Sequence, residues 1–388
     1  MPSAALRERL AGLGGAPPRR PPAPAAGRVP RGFEPVATPF GTAWRLAEVL
    51  PRGRVPGPVP SVPHGYLDTE TTGLSGGTGT QVFAAAVCRP LDCGLELIQL
   101  FLREPAGEAA FLSLLRDELT VSDGLATYNG SRFDLPLLRT RWVMARMPGD
   151  LEHPLHLDLL TLTRALWRQR LESCALRIVE ERVLGFEREG DLPGAMVPET
   201  YLRYLRRGWE PQLELALEHN RQDVVSLFYL HARLLLRLAG DDPRMEGADW
   251  LALGRHLLRV GRRADGWLAL RRAAELADGP SSALAGVLLA RGLGRRRLYL
   301  AAERLLADLQ RRLPDEVCLA LQRARLLEWS LRQPAAAQAV VSEALARLPA
   351  EDSHRAELER RLARLERRLA GRRDRRRPRQ PELFPPGW

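Results

Sequence analysis

The segment Tyr66-Leu-Asp-Thr-Glu-Thr-Thr-Gly-Leu74 restricts this chain more than any other, because it sets two carboxylates, Asp68 and Glu70, two residues apart in a run with strand character. Alternate side chains of a strand leave the same face, so both acids project together. Like charges held side by side repel, and a fold that keeps them needs a cation between them. Magnesium or manganese, hard ions that take oxygen ligands, meets that need. An Asp-x-Glu pair by itself is common, but the Thr-Thr-Gly that follows makes the signal far more specific.

Around this segment the pattern is α/β. Strand-like runs at His64–Thr69, Gln81–Arg89 and Leu95–Arg103 are followed by a helix over Ala106–Leu119 and a strand over Leu125–Asn129. A helix over Leu135–Met147, a strand near His156–Asp158 and a long helix from about Gln212 to Leu238 complete the pattern. Strands first in succession and then alternating with helices predict a mixed sheet with helices packed over it. Residues 1–60 read as a flexible Pro/Arg-rich arm and 61–240 as the α/β domain. Past Gly240-Asp-Asp-Pro243 the composition turns to Ala, Leu and Arg, and 241–350 reads as an all-α repeat domain. Trp250–Leu276, Ala283–Leu309 and Leu319–Leu348 each suggest two helices about a turn, near Gly261, Gly294 and Gln333, at a period close to the tetratricopeptide one. Residues 351–388 read as a basic helix and a disordered tail.

Two metal ions need more carboxylates than one strand supplies. Asp134, in Asn129-Gly-Ser-Arg-Phe-Asp134, lies at a strand-to-helix junction that can bring it beside the first pair. His219 and Asp223, in His219-Asn-Arg-Gln-Asp223, are four apart on a helix and share a face. Asp158 either lines the site or caps the helix that starts at Leu159. His156 reads as a packed polar residue and Asp191 as a turn residue. The loop Gly73–Gly79 lacks the Lys-Ser/Thr ending of a P-loop; it links two strands and lets a substrate backbone approach closely.

In this order, the motifs resemble the DEDD exonuclease superfamily and, more closely, bacterial ribonuclease H-like proteins with C-terminal tetratricopeptide repeats. The similarity also runs through His156-Leu-Asp-Leu-Leu160 and Asp191-Leu-Pro-Gly194 and covers about residues 60–240. It implies a ribonuclease H-like fold and a 3′–5′ exonuclease that uses two magnesium or manganese ions. Asp68, Glu70, Asp134 and Asp223 would hold the ions, His219 would act as general base, and Thr69, Asn129 and Phe133 would contact substrate. Imidazole suits a base because it titrates near neutrality. The chain departs from the family at one point: its histidine stands four residues before the last aspartate, where the tyrosine subclass has its base, and the histidine subclass uses five. His219 is therefore either a substituted base or a residue that orients Asp223.

The formal charge of +11 favours a polyanionic partner. All the Lys+Arg positions are arginine, an output that GC-rich coding also produces, so charge alone does not decide for nucleic acid. Arg262, Arg263, Arg271, Arg272 and Arg295–Arg297 either track phosphates or form solvated helix faces, and the repeats also suit a protein partner. Gln380-Pro-Glu-Leu-Phe384 resembles a peptide that docks on the bacterial sliding clamp; the alternative is an unstructured terminus. The scattered Cys88, Cys93, Cys174 and Cys318 argue against a zinc site. With no apolar leader or span, a cytoplasmic protein without membrane contact is expected. Two functions fit these observations: a metal-dependent nuclease, or a nuclease-fold scaffold that recruits partners through its repeats.

Overall fold

The computed structural model describes residues 27–60, 64–73, 79–148, 155–188, 190, 192–276 and 279–376. The expectations for residues 1–26 of the arm, for the interior of the glycine loop, for Asp191 and for Gln380–Phe384 fall outside these residues.

The α/β part carries a seven-stranded sheet in the order β1-β2-β5-β4-β3-β6-β7. Its strands are β1 (Glu34–Thr38), β2 (Gly41–Leu50), β3 (His64–Thr71), β4 (Val82–Pro90), β5 (Leu95–Phe101), β6 (Gly124–Thr127) and β7 (Leu155–Asp158). β1 to β5 pair antiparallel, and β6 and β7 continue parallel from β3. Helices α1 (Glu108–Thr120), α2 (Asp134–Met144), α3 (Leu159–Trp167), α4 (Val197–Arg207) and α5 (Gln212–Ala239) follow the first strands or alternate with the last ones. This is the mixed sheet with flanking helices that the sequence predicts. β4 shows no polar alternation because it is buried on both faces, from Val82 to Arg89. On β4 the small residues Ala84 and Ala86 stand opposite Glu70 and Asp68.

Residues 34–50 correct the expectation of an arm over 1–60: they form β1 and β2, with β2 paired along its length to β5. Composition hides this because β2 carries Arg45 and Glu48, which read as solvated. Both charges find tertiary partners, Arg45 on Glu118 of α1 at 3.0 Å and Glu48 on Arg221 of α5 at 2.8 Å.

Aromatic packing supports one side of the sheet. Phe83 of β4 stacks on Tyr201 of α4 with centroids 4.4 Å apart, and Phe101 of β5 meets Tyr201 and Tyr204 edge-on. The Tyr201 hydroxyl donates to the Leu102 carbonyl at 2.9 Å, so the buried phenol is satisfied.

The described residues divide into two compact units. The first holds the sheet and runs to Leu160 and from Val179 to Ala232; the second joins Thr161–Ile178 to the chain from Arg233 onward. The division thus falls inside α5 and not at Gly240. The second unit is helical: α6 (Gly247–Arg259), α7 (Arg263–Leu276), α8 (Pro280–Arg295), α9 (Tyr299–Arg312), α10 (Val317–Arg325), α11 (Pro334–Arg347) and α12 (Arg355–Arg376). Consecutive helices pack on one another around Leu251, Leu270, Leu306 and Leu309, and farther along around Leu327, Val341, Leu358 and Leu365. Gly254 and Gly266 let α6 and α7 approach, since a Cβ on either would lie 2.8 Å from a leucine of the opposite helix. Among the described residues no helix is long and apolar enough to cross a membrane.

Tyr201→Ala is expected to lower the unfolding free energy by about 3–5 kcal/mol, and Tyr201→Phe by about 1 kcal/mol. Urea titration followed by circular dichroism checks both, and equal losses in the two variants would contradict the stacking argument.

Candidate active site

The two-residue period of β3 puts Tyr66, Asp68 and Glu70 on one face, and α5 covers that face. The Tyr66 hydroxyl lies 2.9 Å from His231 Nδ1, which fixes the lower end of the strand against the helix. Asn220, fully buried on α5, donates from Nδ2 to both the Asp68 carboxylate at 2.7 Å and the Asp68 carbonyl at 3.1 Å. The Asn220 Oδ1 in turn accepts from Gln99 Nε2 of β5 at 3.0 Å. The Asp68 side chain is therefore held by a hydrogen-bond chain that crosses from β5 through α5 to β3.

His219 and Asp223 lie one helical turn apart on the same helix. His219 Nε2 is 4.0 Å from Glu70 Oε1 and 3.8 Å from Asp223 Oδ2. Asp134 opens α2, and the Thr69 hydroxyl donates to its Oδ1 at 2.5 Å. The junction before α2 is built on Asp158, whose carboxylate accepts from the backbone N–H of Asn129 at 2.8 Å and of Ser131 at 3.3 Å, and from the Ser131 hydroxyl. It also accepts from the Leu160 N–H at 3.1 Å, which is the helix-capping role. Asn129 itself takes a left-handed conformation, with φ 66°. His156 contacts Thr127 at 2.9 Å but is exposed, which corrects its reading as a packed residue.

Asp68, Glu70, Asp134, His219 and Asp223 are thus gathered from β3, α2 and α5. Partial burial, then the charges of Asp223, Glu70 and Asp134, push the Asp68 carboxyl well above its ordinary range. Burial raises Asp134 to about 6, against the hydrogen bond from Thr69. Thr69 serves Asp134 directly, whereas Phe133, next to Asp134, keeps 51% of its surface exposed.

Three residues here escape the sequence motifs. Arg188, 7% exposed, bonds the Asp223 carboxylate and makes two hydrogen bonds of 2.6 Å to Glu180; its Nη1 also lies 3.1 Å from His219 Nδ1. Burial works against the guanidinium charge, but Glu180 and Asp223 outweigh it and raise its pKa. Since arginine only donates, His219 Nδ1 accepts in this arrangement, and the ring hydrogen of a neutral His219 sits on Nε2, facing Glu70 and Asp223. Glu180, 1% exposed, heads a π-helical turn (Glu180–Leu184). Asn220, third of the group, lies inside the His219–Asp223 motif without a signal of its own. Arg188, in Glu187-Arg-Glu189, looks like part of a solvated charged run.

Among the described residues no three Asp, Glu, His or Cys side chains form a finished metal cage. The donor set nonetheless suits hard cations, because Asp68 sits against three other carboxylates that raise its pKa. Arg188 already neutralises Asp223, so a full set of four ligands requires that guanidinium to leave.

Residues 65–235 match the family model of the RNase H superfamily, and the sheet with its flanking helices has the ribonuclease H-like, nuclease-type fold. The chain is 33% identical over 178 residues to the uncharacterized protein YprB of Bacillus subtilis strain 168. That similarity covers 45% of this chain and 43% of YprB, so the chain spans less than half of its relative's length. A family B DNA polymerase from the archaeon Pyrobaculum calidifontis aligns over 84% of this chain and 50% of its own, at 14% identity. With a TM-score of 0.37, that likeness does not define a shared fold.

The raised carboxyls fix the sign of a pH effect. Between the ordinary aspartate value of 3.8 and about 6, folded Asp134 holds more proton than unfolded Asp134, so its contribution to stability falls as pH rises through that window. Asp68→Asn, which removes one repelling charge yet still accepts from Asn220, is expected to raise the metal-free melting temperature by a few degrees at neutral pH. The gain should shrink toward pH 4. A variant that melts lower than the wild type in EDTA would contradict it.

Arg188→Met strands the Glu180 charge and is expected to destabilise by about 3–5 kcal/mol, whereas Arg188→Met with Glu180→Gln should recover much of the loss. Denaturant titration compares them. A double variant no more stable than the single one would rule out the pairing as the cause.

Proposed function

We propose that residues 65–235 form a metal-dependent nuclease, a 3′–5′ exonuclease on DNA or RNA that works with two magnesium or manganese ions. The observation that carries this reading is the convergence of Asp68, Glu70, Asp134 and Asp223 from three elements, with the Asp68 carboxyl pushed up by burial and by the charges of the other three. These four residues would hold the ions, which when bound supply charge neutralisation for the scissile phosphate and acidify the attacking water. Asn220 and Thr69 hold Asp68 and Asp134 in place. His219 takes the water proton at Nε2, which has to be bare for that step. This requires Arg188 to release both Asp223 and Nδ1, so that the ring hydrogen moves to Nδ1. Phe133, exposed beside Asp134, offers an aromatic face to a terminal base, and the Asn129 loop borders the same edge. The reading extends to a cytoplasmic protein whose helix pairs act as tetratricopeptide-type repeats for a protein partner, with Gln380–Phe384 as a clamp peptide.

One observation favours a second reading. Arg188 on Asp223 gives the site a resident cation, as a catalytically silent scaffold would have.

End-labelled single- and double-stranded DNA and RNA, incubated with either metal, separate the two. Laddering from the 3′ end, lost by at least about a hundredfold in Asp68→Ala and Asp223→Ala, is expected for the nuclease. Absence of cleavage together with no manganese uptake by calorimetry would leave the scaffold.

A further inference from the structure

The second unit carries a groove of about 790 Å³ that brings arginines and aromatic rings together. Its polar side comes from Arg291 and Arg295 on α8 and Arg325 at the end of α10, all exposed. Its flat side comes from Tyr299 at the start of α9 and Trp329 in the turn after α10. No aspartate or glutamate lines it, and none of the three arginines forms an ion pair among the described residues. Several other arginines of this unit are paired. Arg271, Arg311 and Arg347 on other helix faces each pair with an acid three or four residues away, as solvated helix faces do.

Trp329 is the most informative residue. The π-helical turn Leu326–Ser330 sends the neighbouring Glu328 inward, where it is 1% exposed, and leaves the indole 60% exposed. Buried Glu328 draws Arg364 and Arg368 of α12 to it, at 2.7 and 3.8 Å. The same two guanidiniums lie over the indole, 5.9 and 5.6 Å from its centroid. The tryptophan is thereby braced by cations in an open position.

We infer that this groove is a binding site for single-stranded nucleic acid, separate from the carboxylate site. Guanidiniums without acidic partners suit phosphates, and aromatic rings with exposed faces suit unstacked bases. A duplex keeps its bases stacked on one another and has no use for Trp329. An acidic peptide would use the arginines and leave the aromatic residues idle. The inference does not need the nuclease reading, because binding can be measured in EDTA, where no metal-dependent cleavage occurs.

The test is fluorescence anisotropy of the full chain in EDTA with labelled oligo(dT) and oligo(U) of roughly 20 nucleotides, repeated with a duplex and at several salt concentrations. Trp329→Ala is expected to weaken single-strand binding about tenfold, whereas Trp329→Phe keeps most of it. The triple charge reversal R291E/R295E/R325E should weaken it further and lower the salt slope by about 2, the number expected for three lost phosphate contacts on a single strand. Relative affinity for dT and U assigns DNA or RNA. Wild-type affinity in the triple variant would overturn the site, as would equal losses in Trp329→Ala and Trp329→Phe. Preference for duplex, or competition by poly-glutamate as strong as that by unlabelled oligonucleotide, would overturn it in favour of another ligand.

Discussion

Repulsion among Asp68, Glu70, Asp134 and Asp223 is the constraint around which the first unit is organised. Carboxylates this close destabilise a fold unless their geometry is enforced from outside, and Asp68, Asp134 and Asp223 are each enforced by a different device. Asn220 clamps Asp68 from a fully buried position and is itself held by Gln99; Thr69 clamps Asp134; Arg188 clamps Asp223. The supporting residues come from α5, β5, β3 and the loop after the π-helical turn. The sheet order, with β3 between an antiparallel and a parallel neighbour, is what lets helices α2 and α5 bring their acids to the same strand.

The clamps differ in one respect that bears on chemistry. Asn220 and Thr69 are neutral donors and leave negative charge for a cation to meet. Arg188 supplies a full positive charge and also sets the His219 tautomer. It does so from the segment that follows the π-helical turn, where Glu180 holds it. A buried Glu180 anchors that guanidinium more firmly than an exposed acid would, because the pair is shielded from water and salt. The same anchor gives Arg188 somewhere to remain if it releases Asp223. Its two bonds to Glu180 would persist if the Asp223 contact broke, so Asp223 could turn to a cation without leaving the guanidinium unpaired.

The legible parts of this molecule are those where a local pattern has one physical meaning. Asp68 and Glu70 share a face on any strand, and His219 and Asp223 share one on any helix, so the motifs place four of the five clustered residues whatever the tertiary detail. Asp134 needed only the strand-to-helix junction. β1 and β2 were hidden because Arg45 and Glu48 look solvated until Glu118 and Arg221 arrive from distant parts of the chain. Arg188 was hidden for the same reason: in sequence it is one charge in an acidic run, and its meaning comes from Glu180 and Asp223. Asp158 could be read two ways, and only the positions of Asn129 and Leu160 show that it caps one helix while tying down the loop before another. Long-range pairing of charge is the information that periodicity does not carry.

The helical unit extends the same principle. Its buried acids, Asp242, Asp249 and Glu328, are each met by two or more arginines: Asp242 by Arg233 and Arg237, Asp249 by Arg170 and Arg237, Glu328 by Arg361, Arg364 and Arg368. In a chain that uses arginine for every basic position, the planar, forked guanidinium serves as the common connector, able to bridge two acids or stack on an indole while paired. Arg237 does both, bonding Asp242 and Asp249 while lying 5.1 Å over Trp167. Once this internal use is recognised, net charge is a weaker guide to ligand binding, since many of the described arginines serve the fold. The groove inferred to bind a single strand combines guanidiniums without acidic partners with an exposed indole. These are Arg291, Arg295 and Arg325 around Trp329.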